Sequence, residues 1–359
     1  MSDESFLVKT PGRVCLFGEH SDYLGLDVIA AAIDLTIDIK SVPRDDNQIH
    51  IEYLDLADQD TFSIGRELAY RNRRDYIRSA FNIMARHGFE PDQGWTMSVS
   101  GDIPIAAGLS SSSALTVGAV MAISKMADAE ISPEDIANRA FEAEVLEFGE
   151  SGGTMDHYTT AVGGVVHINT ESNRVTCLPA KLGSLVIGDS GEKKKDTVGD
   201  LEYIKMTVER EYELISQEMP SFNRRTTPVN AVSSLSDNEP TKERHMALAT
   251  LRNRDLTYRA HRLLESEQPY EHALGTMIKE HHEILRDDLH RSTPKIEKMI
   301  HAAYDAGALG CKINGSGGGG TMMAYAAGWE HDVASAIRQA GGTAIIVNIS
   351  KGTSFVSSQ

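Results

Sequence analysis

Cysteine is scarce in this chain: three residues among 359, Cys15, Cys177 and Cys311, far apart and odd in number. That spacing excludes a disulfide framework and a cysteine-based metal cluster, and reads as the reduced thiols of a cytoplasmic protein. Long apolar runs are missing too; none approaches the roughly 20 residues that a spanning helix needs. The opening MSDESFLVKT has acidic residues and no apolar core, so no signal peptide is expected there. Positive charge is the third shortage, with 35 basic against 52 acidic side chains and a formal net charge of -17. This excess of negative charge excludes nucleic acid and anionic membrane as natural partners. A phosphorylated ligand would need local donors, with or without a metal ion, to overcome it.

What remains is the composition of a globular protein, 41% hydrophobic and 24% charged, in a chain too long for one ordinary core. Two domains are expected, without internal repeats. Apolar alternation predicts strands over 28–42, 49–54, 95–99 and 164–168. Helical spacing covers 75–87 and 113–126. A further helix, capped by Ser132 with Pro133 at its first position, is expected to run to about 148. A short helix starts near Met155. The second half reads as a strand over 185–188, the charged segment 192–196, and helices over 196–217, 241–265, 268–287 and 293–306. Strands over 310–314, 321–325 and 344–348 then flank a helix at 330–340, and 220–240 reads as a polar loop. The change from strand-rich to helix-rich places a boundary near 175, giving domains 1–175 and 176–359.

Three segments carry chemistry. In the first, the strand-like run Val14 to Phe17 ends at Gly18 and is followed by Glu19, His20, Asp22 and Tyr23. Folding alone does not call for so many polar groups just past a strand. A polyhydroxylated ligand does, because carboxylates accept from hydroxyls and histidine can do either. The second segment, Gly101 to Ala114, places Gly108, Leu109 and the serines Ser110, Ser111, Ser112 and Ser113 between a strand and a helix. Glycine admits close backbone approach, and the free amides at a helix start form an anion site. A serine cap would need one serine, not four. No Lys-Ser/Thr follows the glycines, so this is not a Walker A loop. The third, Asn314 to Gly320, holds five glycines between two strand-like runs, a conformational cost that close packing beside a ligand would justify.

In this order and at these positions, the three segments resemble the motifs of the GHMP family of small-molecule kinases (galactokinase, homoserine kinase, mevalonate kinase, phosphomevalonate kinase). The resemblance covers nearly the whole chain. It implies an α+β fold with an ATP-binding amino-terminal domain of ribosomal-protein-S5-like type and a ferredoxin-like carboxy-terminal domain, the two ligands meeting between them. It places Arg13 beside the transferred phosphoryl group and Asp156 as the catalytic carboxylate. Glu19, His20, Asp22 and Tyr23 match a Gly-Glu-His-x-Asp-Tyr signature similar to that of galactokinases, where such groups bind sugar hydroxyls. Gly108 to Ser113 resembles the phosphate loop, with Ser112 and Glu144 as magnesium ligands, and Gly317 and Gly318 fall in the third, nucleotide-side motif.

The resemblance therefore implies ATP and Mg2+ as cofactors, a small sugar as acceptor, and a monomer or homodimer. The match departs from galactokinases at Cys15, at Leu24-Gly25-Leu26 and at Gly152 to His157, and the third motif looks more like mevalonate kinases. Mevalonate is disfavoured as substrate because Glu19 and Asp22 would face an anionic ligand. Other polyols, a catalytically silent sugar sensor, and an ATP-dependent decarboxylase of the mevalonate-diphosphate type are the rival readings. Among remaining polar groups, Asp189, Ser190 and Tyr203 are candidates for the pocket wall, and His281, His282 and His290 read as surface or satisfied core histidines.

Overall fold

Two long strands, β1 (Phe6–Phe17) and β2 (Val28–Pro43), pair antiparallel and carry the first chemical segment out of a sheet. In the computed structural model the described residues are 4–105, 107–193, 197–235, 239–266 and 270–356; Ala106 in the second segment and Lys194 to Asp196 in the charged segment lie outside them. The first sheet grows around the pair with β3 (Gln48–Tyr53), β4 (Asp58–Ser63), β5 (Trp95–Gly101), β6 (Val165–Asn169) and β7 (Arg174–Cys177). The length of β2 lets it serve two neighbours: Val28 to Ala31 pair with β6 and Ile37 to Pro43 with β5.

Four helices cover this sheet: α1 (Tyr76–Arg86), α2 (Ser111–Met126), α3 (Pro133–Phe141) and α4 (Met155–Val162). Ile39, Met97, Val117, Val120, Ile123 and Tyr158 fill the space between. Each large apolar side chain buried there contributes roughly 1.5–3 kcal/mol. Ser132 caps α3, accepting from the Asp135 amide at 3.1 Å as its spacing predicts. The helix does not continue to about 148, however. It passes after Phe141 into a π-helical turn, Glu142–Leu146. A π turn takes one more residue than an α turn, and here Glu144 is buried while Leu146 is exposed.

The second domain is built on a four-stranded antiparallel sheet of β8 (Leu185–Asp189), β9 (Gly310–Ile313), β10 (Thr321–Tyr325) and β11 (Thr343–Val347), in the order β11-β8-β10-β9. Its helices are α5 (Thr197–Glu218), α6 (Val229–Ser233), α7 (Lys242–Leu264), α8 (Glu271–Glu283), α9 (Pro294–Asp305) and α10 (Glu330–Gln339). The α6 turn lies in the stretch read as a loop, and α8 continues into a second π turn, Ile284–Asp288. Finally β12 (Ser354–Val356) returns to the first sheet and pairs with Leu7 to Lys9 of β1. The polar edge strand β4 and the short β7 and β12 escaped prediction, because few apolar residues mark them. Among the described residues, no helix is long and apolar enough to cross a membrane.

Candidate active site

Glycine sets the first turn of the site. Gly18 has φ +83°, and a Cβ there would meet the Asp27 carbonyl oxygen at 2.7 Å. The chain then passes His20 at φ +65° into a single 3-10 turn, Asp22–Leu24. Ser110, just before α2, has φ +62°, and His290, beside the third segment, has φ +54°. Non-glycine residues rarely occupy this region, and the cost is about 1–3 kcal/mol each. All three chemical segments thus contain or adjoin a strained residue.

At the centre Arg13 and Asp156 form a two-pronged pair: Nε donates to Oδ1 at 2.6 Å and Nη2 to Oδ2 at 2.7 Å. Ser110 spends its hydroxyl on the same carboxylate, donating to Oδ2 at 2.5 Å, instead of capping α2. Arg13 Nη1 donates to the Gly108 carbonyl at 2.8 Å. Burial pushes the Asp156 carboxyl up, but the Arg13 charge and the hydrogen bonds from Arg13 and Ser110 more than reverse this and leave it below the ordinary carboxylate range. Asp156 is therefore ionised at neutral pH, an acceptor held in one orientation.

Asp22 has the opposite environment. Burial, then the nearby charge of Asp156, push its carboxyl up to about 6, against weaker backbone hydrogen bonds. Its Oδ2 accepts from the Met155 amide at 3.3 Å at the start of α4. Gly153 makes room for it: a Cβ at 153 would lie 1.9 Å from Asp22 Oδ2. His20 Nδ1 and the Tyr23 hydroxyl are 2.8 Å apart. Glu19 is 3% exposed and accepts from Nζ of Lys312, itself 0% exposed, at 2.6 Å. Such a pair is costly to break from one side, because a buried charge is left uncompensated. Glu144 Oε2 lies 2.8 Å from His157 Nε2, within hydrogen-bond distance, and the His157 ring stands edge-on to Phe141.

These groups face one cleft of ≈ 460 Å³, lined by Arg13, Glu19, His20, Asp22, Tyr23, Gly108, Ser110 to Ser113, Glu144 and Asp156. The serines of the second segment open at the amino end of the 16-residue α2, where unpaired amides and the helix dipole favour an anion. Leu109 is buried behind the loop and accepts from the Arg13 amide. From the third segment Gly315 and Ser316 reach the cleft. Gly317 and Gly318 sit behind them, against Arg291, where a Cβ on Gly317 would come within 2.6 Å of that residue. Beside Gly315 and Ser316 the second domain lines the cleft with Leu201 of α5 and not Tyr203, which is exposed to solvent, while Ser190 is turned to the Gly320 carbonyl. His281 and His282 are core residues, the first facing the Leu16 carbonyl and the second facing Glu297.

Several cleft residues had no sequence signal of their own: Arg74, Tyr76 and Glu150 on one rim, and His157 behind Glu144. Lys312 had a faint one, a lysine in the otherwise apolar run of β9. A magnesium site fits the donor set. Ser112 and Glu144 are hard oxygen donors on the same cleft, and Mg2+ characteristically takes one or two protein oxygens and completes its shell with water and phosphate. Among the described residues no cluster of three or more His, Cys, Asp or Glu could hold a metal without such help.

Comparison with known proteins agrees with this geometry. Residues 75–164 match the model for the GHMP kinases N terminal domain, 271–344 that for GHMP kinases C terminal, and 1–39 the galactokinase galactose-binding signature. Mevalonate kinase of Pyrococcus furiosus is 32% identical over 355 residues, covering 96% of each chain, and that of Thermococcus sibiricus is 31% identical over the same share. Galactokinase of Haemophilus influenzae is 26% identical, covering 92% of this chain and 87% of its own. In fold, the crystal structure of Lactococcus lactis galactokinase complexed with galactose aligns at a TM-score of 0.86, with 18% identity over 98% of this chain and 95% of that one. A mevalonate kinase from Methanococcus jannaschii aligns at 0.74, with 19% identity, over 98% of this chain and 100% of its own. With both GHMP domains present and full-length relatives above 30% identity, the chain belongs to the GHMP kinase family and is a GHMP-type phosphotransferase of α+β fold.

Proposed function

We propose that this kinase transfers the γ-phosphoryl group of ATP to a hydroxyl of a neutral monosaccharide, galactose or a close relative. The observation that carries the reading is the charge balance of the cleft. Glu19, Asp22, Glu144, Glu150 and Asp156 line it, against two guanidinium groups. Both are engaged: Arg13 by Asp156 at 2.6 Å and Arg74 by Glu150 at 2.7 Å. An acceptor carboxylate would find no unpaired Arg or Lys among the described lining residues. Hydroxyls would find Asp22, His20 and Tyr23. The match of residues 1–39 to the galactose-binding signature supports the same choice.

In this mechanism the acceptor hydroxyl lies against Asp156, which takes its proton as the oxygen bonds to the γ-phosphorus and the bond to the β-bridging oxygen breaks, releasing ADP. Phosphoryl transfer needs little covalent help from the protein; positioning and neutralisation of the equatorial oxygens dominate. Arg13 has five N–H donors and spends three on Asp156 and Gly108, leaving two for the phosphoryl oxygens. The amides at the start of α2 and the hydroxyls of Ser111 to Ser113 hold the phosphate chain. Ser112 and Glu144 would hold Mg2+, which when bound neutralises the β- and γ-oxygens. The first domain would carry the nucleotide and the second would close the cleft; the expected division at 175 needs correcting, because β7 runs to Cys177 and β12 (Ser354–Val356) returns to the first sheet.

The test is ADP release from Mg-ATP across free sugars, uronic acids, inositols, homoserine and mevalonate. Turnover of one neutral sugar is the expected result. Turnover of mevalonate alone, the substrate named for several relatives, would overturn the sugar reading. Silence with sugar binding retained in calorimetry would make the chain a sensor.

A further inference from the structure

β12 pairs with β1 only at Leu7 to Lys9, so beyond that point the outer edge of β1 has no neighbouring strand among the described residues. That is the stretch that carries Arg13. Its backbone groups are satisfied instead by groups from other parts of the chain, several of them side chains of the second domain. The Cys15 amide donates to Asn314 Oδ1 at 3.1 Å, and the Cys15 carbonyl accepts from Lys312 Nζ at 2.9 Å. Lys312 and Asn314 are two residues apart where β9 runs into the glycines, the spacing that puts both on one face of extended chain. Asn314 is fully buried and makes a second contact: its Nδ2 donates to the Gly108 carbonyl at 2.7 Å. The same carbonyl anchors Arg13 Nη1.

We propose that Asn314 is a positioning residue for phosphoryl transfer, acting through the Gly108 carbonyl on Arg13. The Arg13 guanidinium is fixed by Asp156 on one side and by Gly108 on the other. Gly108 has φ +91°, in a loop that glycine leaves free to rotate, so its carbonyl needs an outside hold. Asn314 supplies it, and it ties the loop to Cys15 with its other atom. The neighbouring peptide is fixed likewise, since the Ala107 carbonyl accepts from the Thr321 amide at 3.1 Å and from its hydroxyl at 2.8 Å. In a planar trans peptide the N–H points opposite the carbonyl. The Gly108 and Leu109 amides are thus turned away from the second domain, with no acceptor among the described residues. The work divides along β9: Lys312 neutralises Glu19 on the acceptor side, and Asn314 sets the phosphoryl side.

This inference rests on the role given to Arg13 above, and the test separates the two. The full-length chain is compared as wild type, Asn314→Leu, Arg13→Lys and the double variant, with Asn314→Ala as the smaller replacement should leucine prevent folding, judged by thermal melting. Two readouts are taken: kcat and KM with the sugar that turns over, and the ratio of ATP to ADP affinity by calorimetry, which needs no acceptor. Misplacement of a catalytic group by about 1 Å costs on the order of 100-fold. Asn314→Leu is accordingly expected to lower kcat about 10- to 100-fold with sugar KM within about threefold, and to lower the ATP/ADP ratio. In the Arg13→Lys background the same change should add less than about threefold, because coupled sites are not additive. Near wild-type values for both Asn314 variants, or losses that multiply in the double variant, would overturn the inference. Near wild-type values for Arg13→Lys would instead remove Arg13 from its proposed role.

Discussion

The loop after β1 and the amino end of α4 meet at the cleft, and each presents one aspartate in a largely enclosed position. Their carboxyls move in opposite directions. Asp22 is pushed up to about 6 by burial and by the charge of Asp156. Asp156 feels burial too, yet Arg13 and Ser110 bring it below the ordinary range. Burial alone is the same force at both sites; the guanidinium decides the sign. Two titratable groups whose surroundings drive them apart are a mark of divided chemical labour. Under the mechanism proposed above, Asp156 is the carboxylate kept ionised beside the acceptor hydroxyl, and Asp22 is the one that meets the other hydroxyls.

The strongest way to break this contrast is Asp156→Asn, which removes the charge and the proton-accepting carboxylate and keeps the shape. Turnover is expected to fall by about 1000-fold or more, since general-base loss and misplacement combine, with ATP and sugar binding kept in calorimetry. Near wild-type turnover would take Asp156 out of the catalytic role. Next is Glu144→Gln, expected to raise the Mg2+ concentration for half-maximal activity about tenfold while His157 keeps a partner; an unchanged magnesium requirement would place the ion elsewhere.

Gly153→Ala drives a methyl into Asp22, whose Oδ2 would lie 1.9 Å from the new carbon. The carboxylate must swing away, so sugar KM should rise several-fold with ATP affinity unchanged. Equal effects on both ligands would show a wider disturbance.

The smallest effect is on stability. Because the folded Asp22 carboxyl is raised from the ordinary aspartate value to about 6, the native state holds the extra proton between those two values. Stability therefore falls as pH rises through this window. Asp22→Asn should flatten the melting temperature between about pH 4 and 6 and raise it at neutral pH by a few degrees. An unchanged slope would assign the titration to another group.

The sequence made one half of this contrast easier to read than the other. Asp22 stands in a dense polar cluster behind an apolar strand, and the serine run stands out against any single-cap requirement. Asp156 has no such local mark; only its place relative to the three motifs identifies it. Less legible still were Lys312 and Asn314, whose partners Glu19 and Cys15 lie 293 and 299 residues away in the chain. Pattern rules work within a turn or a strand, and these contacts exist only after two domains have met. The π turns at Glu142–Leu146 and Ile284–Asp288 escaped for a different reason. One extra residue in a turn leaves the apolar spacing almost unchanged, while it redirects the side chain that matters, Glu144.

The pairing of β12 with β1 has a consequence for how this molecule is made. The chain leaves the first sheet after β7, builds the whole second domain, and comes back through Ser350, whose amide donates to the Ala32 carbonyl, before β12 docks. On the ribosome, the first sheet must therefore wait for nearly all of the remaining chain with the Leu7 to Lys9 edge uncovered, open to misplaced strands. Once closed, the second domain is moored by two covalent crossings instead of one, so opening the cleft by a wide swing would twist both tethers together.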